Sequence, residues 1–127
     1  MRYILSFFTV LLVNTASFAY PKDLDVSILT GVGMMGAGST SCVQFGMDYI
    51  KSPDLAERIY FSWAQGYMSQ RNAMHVLLDA TQRDLRGWQV AEQKKRLRSF
   101  CSENPRSDFV LAVNDLYMAL PEHRPAK

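Results

Sequence analysis

The side chains able to do chemistry in this chain are few and scattered. His75 and His123 are the only imidazoles, Cys42 and Cys101 the only thiols, and the densest charge feature is the run Lys94-Lys95-Arg96 with Arg98. A serine nucleophile needs a base, and Ser69 with His75 is one pairing on offer. Such an arrangement is defined by spatial geometry, and the spacing supplies none. Asp79 and Asp84 could act as an acid and base pair, but they fall in a polar stretch where solvated carboxylates are expected. Met34-Met35 offers soft thioethers to copper without a His or Cys within a few residues, so methionine as a core filler or flexible contact is the better account. Gly31, Gly33 and Gly36 satisfy the GxGxxG spacing. A dinucleotide site also needs a helix opening on those glycines, a second parallel strand and an acid at its end, and the downstream sequence reads as helices only. These residues point away from an enzyme and toward a protein with no cofactor and no metal.

On a helix, Lys94, Lys95, Arg96 and Arg98 fan over much of the surface, which fits an outer solvated face. The functional alternative is a partner surface that meets an anionic patch on another protein or the envelope. With 14 basic against 12 acidic side chains in 127 residues the formal charge is +2, too even a balance for a nucleic-acid binder.

The first residues bear on where these groups would work. Arg2 precedes an apolar stretch, Ile4 to Val13, and a small-residue run ending Ala16-Ser17-Phe18-Ala19, the pattern of a secretory signal peptide over residues 1–19. Ser17 and Ala19 stand where a signal peptidase admits only small side chains, so cleavage is expected after Ala19. The apolar run is about half of the roughly twenty residues that span a bilayer, which argues against a stable membrane anchor. Export to the periplasm follows, and with it an oxidising compartment in which Cys42 and Cys101 are expected to join.

The elements that position these groups read as helices. Residues 20–40, rich in glycine toward the end, read as a flexible N-terminal arm. Cys42, Phe45, Tyr49 and Ile50 recur at helical steps, with Ser39, Thr40 or Ser41 as the cap. Ser52-Pro53-Asp54 supplies a capping hydroxyl, a proline at the first helical position and an acid in the first turn. A second helix should run from there to about Asn72 or a little beyond, with Leu55, Ile59, Trp63, Tyr67 and Met74 on one face. Gly66 lies inside it and predicts that another helix packs closely on its bare backbone. The region Asp79 to Gly87 reads as a connection or broken helix. A third helix from about Trp88 to Ser102 turns Trp88, Ala91, Leu97, Phe100 and Cys101 inward, and Asn104-Pro105 stops it. Ser107 and Asp108 cap a fourth, with Phe109, Ala112, Val113, Leu116 and Leu120 inside, until Pro121 opens a frayed tail over residues 121–127. The expected fold is all-α, a four-helix domain over residues 41–120 pinned by one disulfide.

Ser41-Cys42, the central run Trp63-Ala64-Gln65-Gly66-Tyr67-Met68-Ser69 with Asn72, then Phe100-Cys101 with Asn104-Pro105, and finally Ala112, Leu116 and Leu120 together resemble a known pattern. It is that of the small exported helical proteins of the Tai type, the immunity proteins of type VI secretion amidases. The chain departs from it at Gln70, where relatives often carry glycine. The resemblance implies a non-enzymatic periplasmic protein that blocks the cleft of a peptidoglycan-cutting amidase, and that does so as a homodimer. Without the family, Trp63, Gly66, Tyr67, Ser69 and Asn72 form a helix surface of two rings, a gap and polar tips, which suits helix packing with hydrogen bonds at its edge. A different class of function is a periplasmic stress chaperone similar in size and build to the HdeA-like acid chaperones, exposing Met-rich and aromatic surface when its carboxylates are protonated.

Overall fold

The computed structural model describes residues 33–123. The expected signal peptide, the expected arm up to residue 32 and residues 124–127 lie outside them. Four helices carry the fold: α1 (Cys42–Lys51), α2 (Pro53–Leu77), α3 (Val90–Glu103) and α4 (Phe109–Ala119), preceded by a single 3-10 turn over Gly36–Ser39. No strand forms among the described residues, and Cys42 is bonded to Cys101.

The cross-link joins the first turn of α1 to the last turn of α3, and the surrounding backbone explains why it sits there. An α-helix leaves its first amides without partners. In α1 the Cys42 amide donates to the Ser107 carbonyl at 2.8 Å and the Val43 amide to the Pro105 carbonyl at 3.1 Å. The Phe109 amide, which opens α4, donates to the Thr40 carbonyl at 2.8 Å. The turn Asn104–Asp108 thus receives the start of α1, and the disulfide locks that junction. Closing a loop across a sequence separation of 59 restricts the unfolded chain by about 4 kcal/mol in the chain-entropy account.

α4 is apolar on nearly all sides and is the central element. Phe109, Ala112, Val113, Leu116 and Tyr117 are fully enclosed, and Leu120 follows them inside. Around Phe109 the rings of Phe45 and Tyr60 converge edge-on or tilted, with centroids 5.0 and 4.9 Å away. Such oriented aromatic packing contributes beyond the area it buries.

Of the three candidate caps, Ser41 serves α1, accepting the Gln44 amide at 3.2 Å. Several other local expectations are corrected. Neither Ser52 nor Asp108 caps through its side chain; the Ser52 carbonyl accepts the Ala56 amide, and the first amide of α4 is taken by Thr40 as described. α2 runs to Leu77, and α3 starts at Val90, after Trp88. The inward face of α2 is Ala56, Tyr60, Phe61, Ala64 and Met68, while Leu55, Ile59 and Met74 are exposed. Ile50 lies 85% exposed, Ala91 faces water, and Gln93 takes an inward position on α3. Gly66 is also exposed, and a Cβ placed there would meet nothing within 4 Å. The close approach expected at Gly66 occurs instead at Gly38, beneath the Trp63 indole. The last part of the expected flexible arm is therefore folded: Ala37 and Gly38 are buried, and the Trp63 Nε1–H donates to the Met35 carbonyl at 3.2 Å.

Candidate partner-binding surface

The basic run does not present one patch. Lys94 and Arg98 reach back to the two oxygens of Glu57 on α2, at 2.8 and 2.7 Å. Arg96 turns the other way and grips Asp115 of α4 with Nε and Nη2, at 2.7 and 3.1 Å. These pairs stitch α3 to its neighbours. The Glu57 carboxyl is held below its ordinary value first by the hydrogen bond from Lys94, against the effect of partial burial, with Lys94 and Arg98 adding their charge. Lys95 is left exposed, on a shallow charged groove shared with Glu92, Ser99 and Glu103. Of the four residues expected to form a partner surface, three are thus engaged inside the fold.

The central motif divides in a similar way. Trp63 and Tyr67 stack at 5.3 Å between centroids, nearly parallel, and both pack on the core. Asn72 fastens the α2–α3 connection: its Oδ1 accepts the Arg83 amide at 3.0 Å and the Tyr117 hydroxyl at 2.7 Å, and its Nδ2 donates to the Arg83 carbonyl at 2.8 Å. Asn104 Nδ2 donates to the Phe100 carbonyl, closing the end of α3, and Pro105 offers its carbonyl to α1 as above. Ser69 is exposed and Gly66 lies open to solvent.

His75 is not assembled with Ser69. Its Nδ1–H donates to the Thr81 carbonyl at 2.6 Å, and its ring meets the edge of Tyr117. Asp79 closes α2 in the left-handed conformation, φ 52°: its amide bonds to Val76 O and the next amide to His75 O, the pairing pattern of a Schellman cap. Asp84 accepts the Arg86 amide at 3.0 Å. Among the described residues no three His, Cys, Asp or Glu side chains converge as metal ligands, and no helix is long and apolar enough to cross a membrane.

The surface that remains is apolar and lies on the outside of α1 and α2. Met47, Ile50, Leu55 and Ile59 are each about half exposed or more. Leu55 and Ile59 line a groove of about 360 Å³ between α1, α2 and the 3-10 turn, with Asp48, Lys51 and Thr40 at its margin. Asp48 is fixed by the Tyr60 hydroxyl at 2.7 Å and the Gln44 amide group at 2.9 Å. The Tyr60 hydrogen bond is the main reason its carboxyl lies below its ordinary value. The Tyr60 phenol is pushed up to about 12, chiefly by burial and then by the same carboxylate.

A second apolar group surrounds Arg71, a residue that the sequence did not single out. Its guanidinium lies 4.5 Å above the Tyr117 ring, Nη1 donates to Asn114 Oδ1, and Nη2 points at the Met118 thioether 3.8 Å away. Nε is buried and has no acceptor. No carboxylate pairs with Arg71 among the described residues. No sequence signal could reveal this, because Asn114, Tyr117 and Met118 lie more than forty residues downstream of Arg71.

Comparison of the chain with protein-family models, with curated proteins and with solved structures finds no match.

Proposed function

We propose that this protein is a non-enzymatic periplasmic binding module that acts by contact, as an immunity protein covering the active cleft of a peptidoglycan amidase. One observation carries the reading: large aliphatic side chains, Met47, Ile50, Leu55 and Ile59, stay outside on helices whose other faces are packed into the core, α1 being also cross-linked to α3. Clustered exposed apolar residues mark interaction surfaces. A pinned scaffold also binds with little loss of conformational freedom, so more of the contact energy is retained as affinity. Inhibition would be steric, with Leu55 and Ile59 as anchors and Asp48 and Lys51 as the polar rim. The motif resemblance supports the amidase as the partner class, and the N-terminal segment supports the compartment.

The test is recovery of a secreted peptidoglycan amidase from periplasmic extract with the mature protein, followed by an amidase assay. Stoichiometric inhibition that is lost in a Leu55→Asp, Ile59→Asp variant of unchanged helicity is the expected result. An amidase indifferent to the protein, or equally inhibited by the variant, overturns the reading.

A second reading, an acid-activated chaperone, is favoured by one feature. Carboxylates hold helices together here, Glu57 between α2 and α3 and Asp48 between α1 and α2, so acid should loosen the packing. Dye binding and protection of an unfolding client at low pH would support it, and a native spectrum without client protection would exclude it.

A further inference from the structure

A guanidinium is always charged, and taking it out of water without a counter-ion is costly. Among the described residues Arg71 is in that position. It is partly buried, and its polar contacts are an amide oxygen, a thioether, the face of a ring and the nearby Tyr67 phenol. A carboxylate approaching side-on binds the guanidinium through Nε and Nη2 together. Those are the two nitrogens of Arg71 with the poorest partners, Nε having none and Nη2 only the sulfur of Met118. Met118 is 42% exposed and unbranched, so it can swing aside at small cost. Asn114 and Tyr117, both buried, hold the remaining edge and face of the fork in place.

The surroundings say what kind of molecule would bring the carboxylate. Tyr67, Arg71 and Met74 recur at four- and three-residue steps, so they share one face of α2, and Leu78, the residue that ends the helix, follows Met74 by four. Met74 and Leu78 are about two-fifths exposed, like Met118 across from them. A charged anchor ringed by half-exposed apolar side chains is the composition of a protein-interface hot spot.

We propose that Arg71 is the anchor of a second contact surface, which takes an aspartate or glutamate of a protein partner set between apolar side chains. This rests on the protein-binding reading for the nature of the partner, but its test needs no amidase, so the two can fail separately.

The test follows the Arg71 Nε–H signal by nitrogen-edited NMR of the intact, oxidised mature protein. The probes are a capped leucine–glutamate–leucine tripeptide, its glutamine counterpart, and acetate. The glutamate peptide is expected to shift the signal in a saturable way and slow its exchange with water. The glutamine peptide should not, acetate should bind far more weakly, and Arg71→Lys, which lacks the Nε–H and is followed through the Tyr117 and Met118 backbone amides in both proteins, should weaken the glutamate peptide about tenfold or more. The wild-type titration remains decisive should the variant fold poorly. An unmoved Nε–H signal, equal response to the glutamine peptide, or acetate acting as strongly as the peptide overturns the proposal.

Discussion

Replacing Gly38 by alanine tests the folded N-terminal turn most directly. The new Cβ would stand 2.1 Å from Cζ2, 2.2 Å from Cη2 and 2.8 Å from Cε2 of Trp63. Carbon atoms rest at about 3.5–4.0 Å, so ring and turn must separate by roughly 1.5 Å. The indole is not free to yield, since its Nε1–H is bonded to the Met35 carbonyl and its face is stacked on Tyr67. Overpacking of this kind costs about 1–3 kcal/mol, and loss of the Trp63 hydrogen bond adds about 1 kcal/mol. A net cost of about 2–4 kcal/mol corresponds to a fall in melting temperature of roughly 10–30 °C in a domain of this size. Thermal unfolding of the oxidised protein should be followed for Gly38→Ala, for Trp63→Phe, whose shorter ring lacks the reach of Cζ2 and Cη2, and for the double variant. The alanine penalty should mostly vanish in the phenylalanine background, leaving a coupling of about 1 kcal/mol or more. A Gly38→Ala melting temperature within about 2 °C of wild type, or the same penalty in both backgrounds, would refute the packing argument.

The opposite sign is expected at Gly66, where alanine meets open space inside a helix: Gly66→Ala should stabilise by about 0.5–1 kcal/mol in urea titrations. Asn72→Ala removes the partners of the Arg83 amide, the Arg83 carbonyl and the Tyr117 hydroxyl. It should cost about 2–3 kcal/mol and speed hydrogen exchange at the Arg83 amide by at least tenfold, while α1 amides keep their relative protection. Asp48 and Glu57 carboxyls are lowered in the folded state, the first chiefly by the Tyr60 hydrogen bond and the second chiefly by that from Lys94. Their stabilising contribution is therefore complete above the ordinary carboxylate range and is lost as pH falls through the folded-state values. Urea midpoints should drop from about pH 5 downward, and an Asp48→Asn, Glu57→Gln variant should show a shallower slope. The Tyr60 phenol, raised to about 12 by burial and then by the Asp48 carboxylate, has the reverse sign: its contribution is full below about pH 10 and disappears as pH climbs toward 12. Tyr60→Phe should flatten that alkaline loss.

Much of the architecture was legible from local signals. Helix stops at Pro105 and Pro121, the start at Pro53 and the regular spacing of Phe109, Ala112, Val113, Leu116 and Leu120 all reappear in the structure. The start and stop signals act within a turn or two of chain, where sequence neighbours are also spatial neighbours. The phase of α2 differs from the one its spacing predicts for an identifiable reason. Leu55 and Ile59 outrank Ala56 and Ala64 in hydrophobicity, yet Ala56 and Ala64 are enclosed beside Tyr60, because the face packed against α2 is filled by the large rings of Phe45 and Phe109. Close packing rewards volumes that fit over the side chain with the greatest transfer energy.

The candidate sites divide along the same line. The pairing of Cys42 with Cys101 could be reasoned from count and compartment, and the contact of α1 with the turn Asn104–Asp108 gives it a structural basis. The run of Lys94 to Arg98 fans around α3, as the sequence predicts, because successive helical residues point about 100° apart. What the sequence leaves open is that Glu57 and Asp115, on different helices, draw them to different sides.

By itself the sequence determined a helical chain with two thiols able to join, the start of α2 at Pro53 and the stops before Pro105 and Pro121, since each follows from composition or from residues close along the chain. Only the tertiary structure decided that Gly38, and not Gly66, lies under a neighbouring ring, that Lys94, Arg96 and Arg98 are spent on bridging helices, and that Arg71 lies beside Asn114, Tyr117 and Met118 with no carboxylate pairing it among the described residues. Those outcomes depend on which distant surfaces meet, and excluded volume and charge pairing settle them between residues that no local pattern connects.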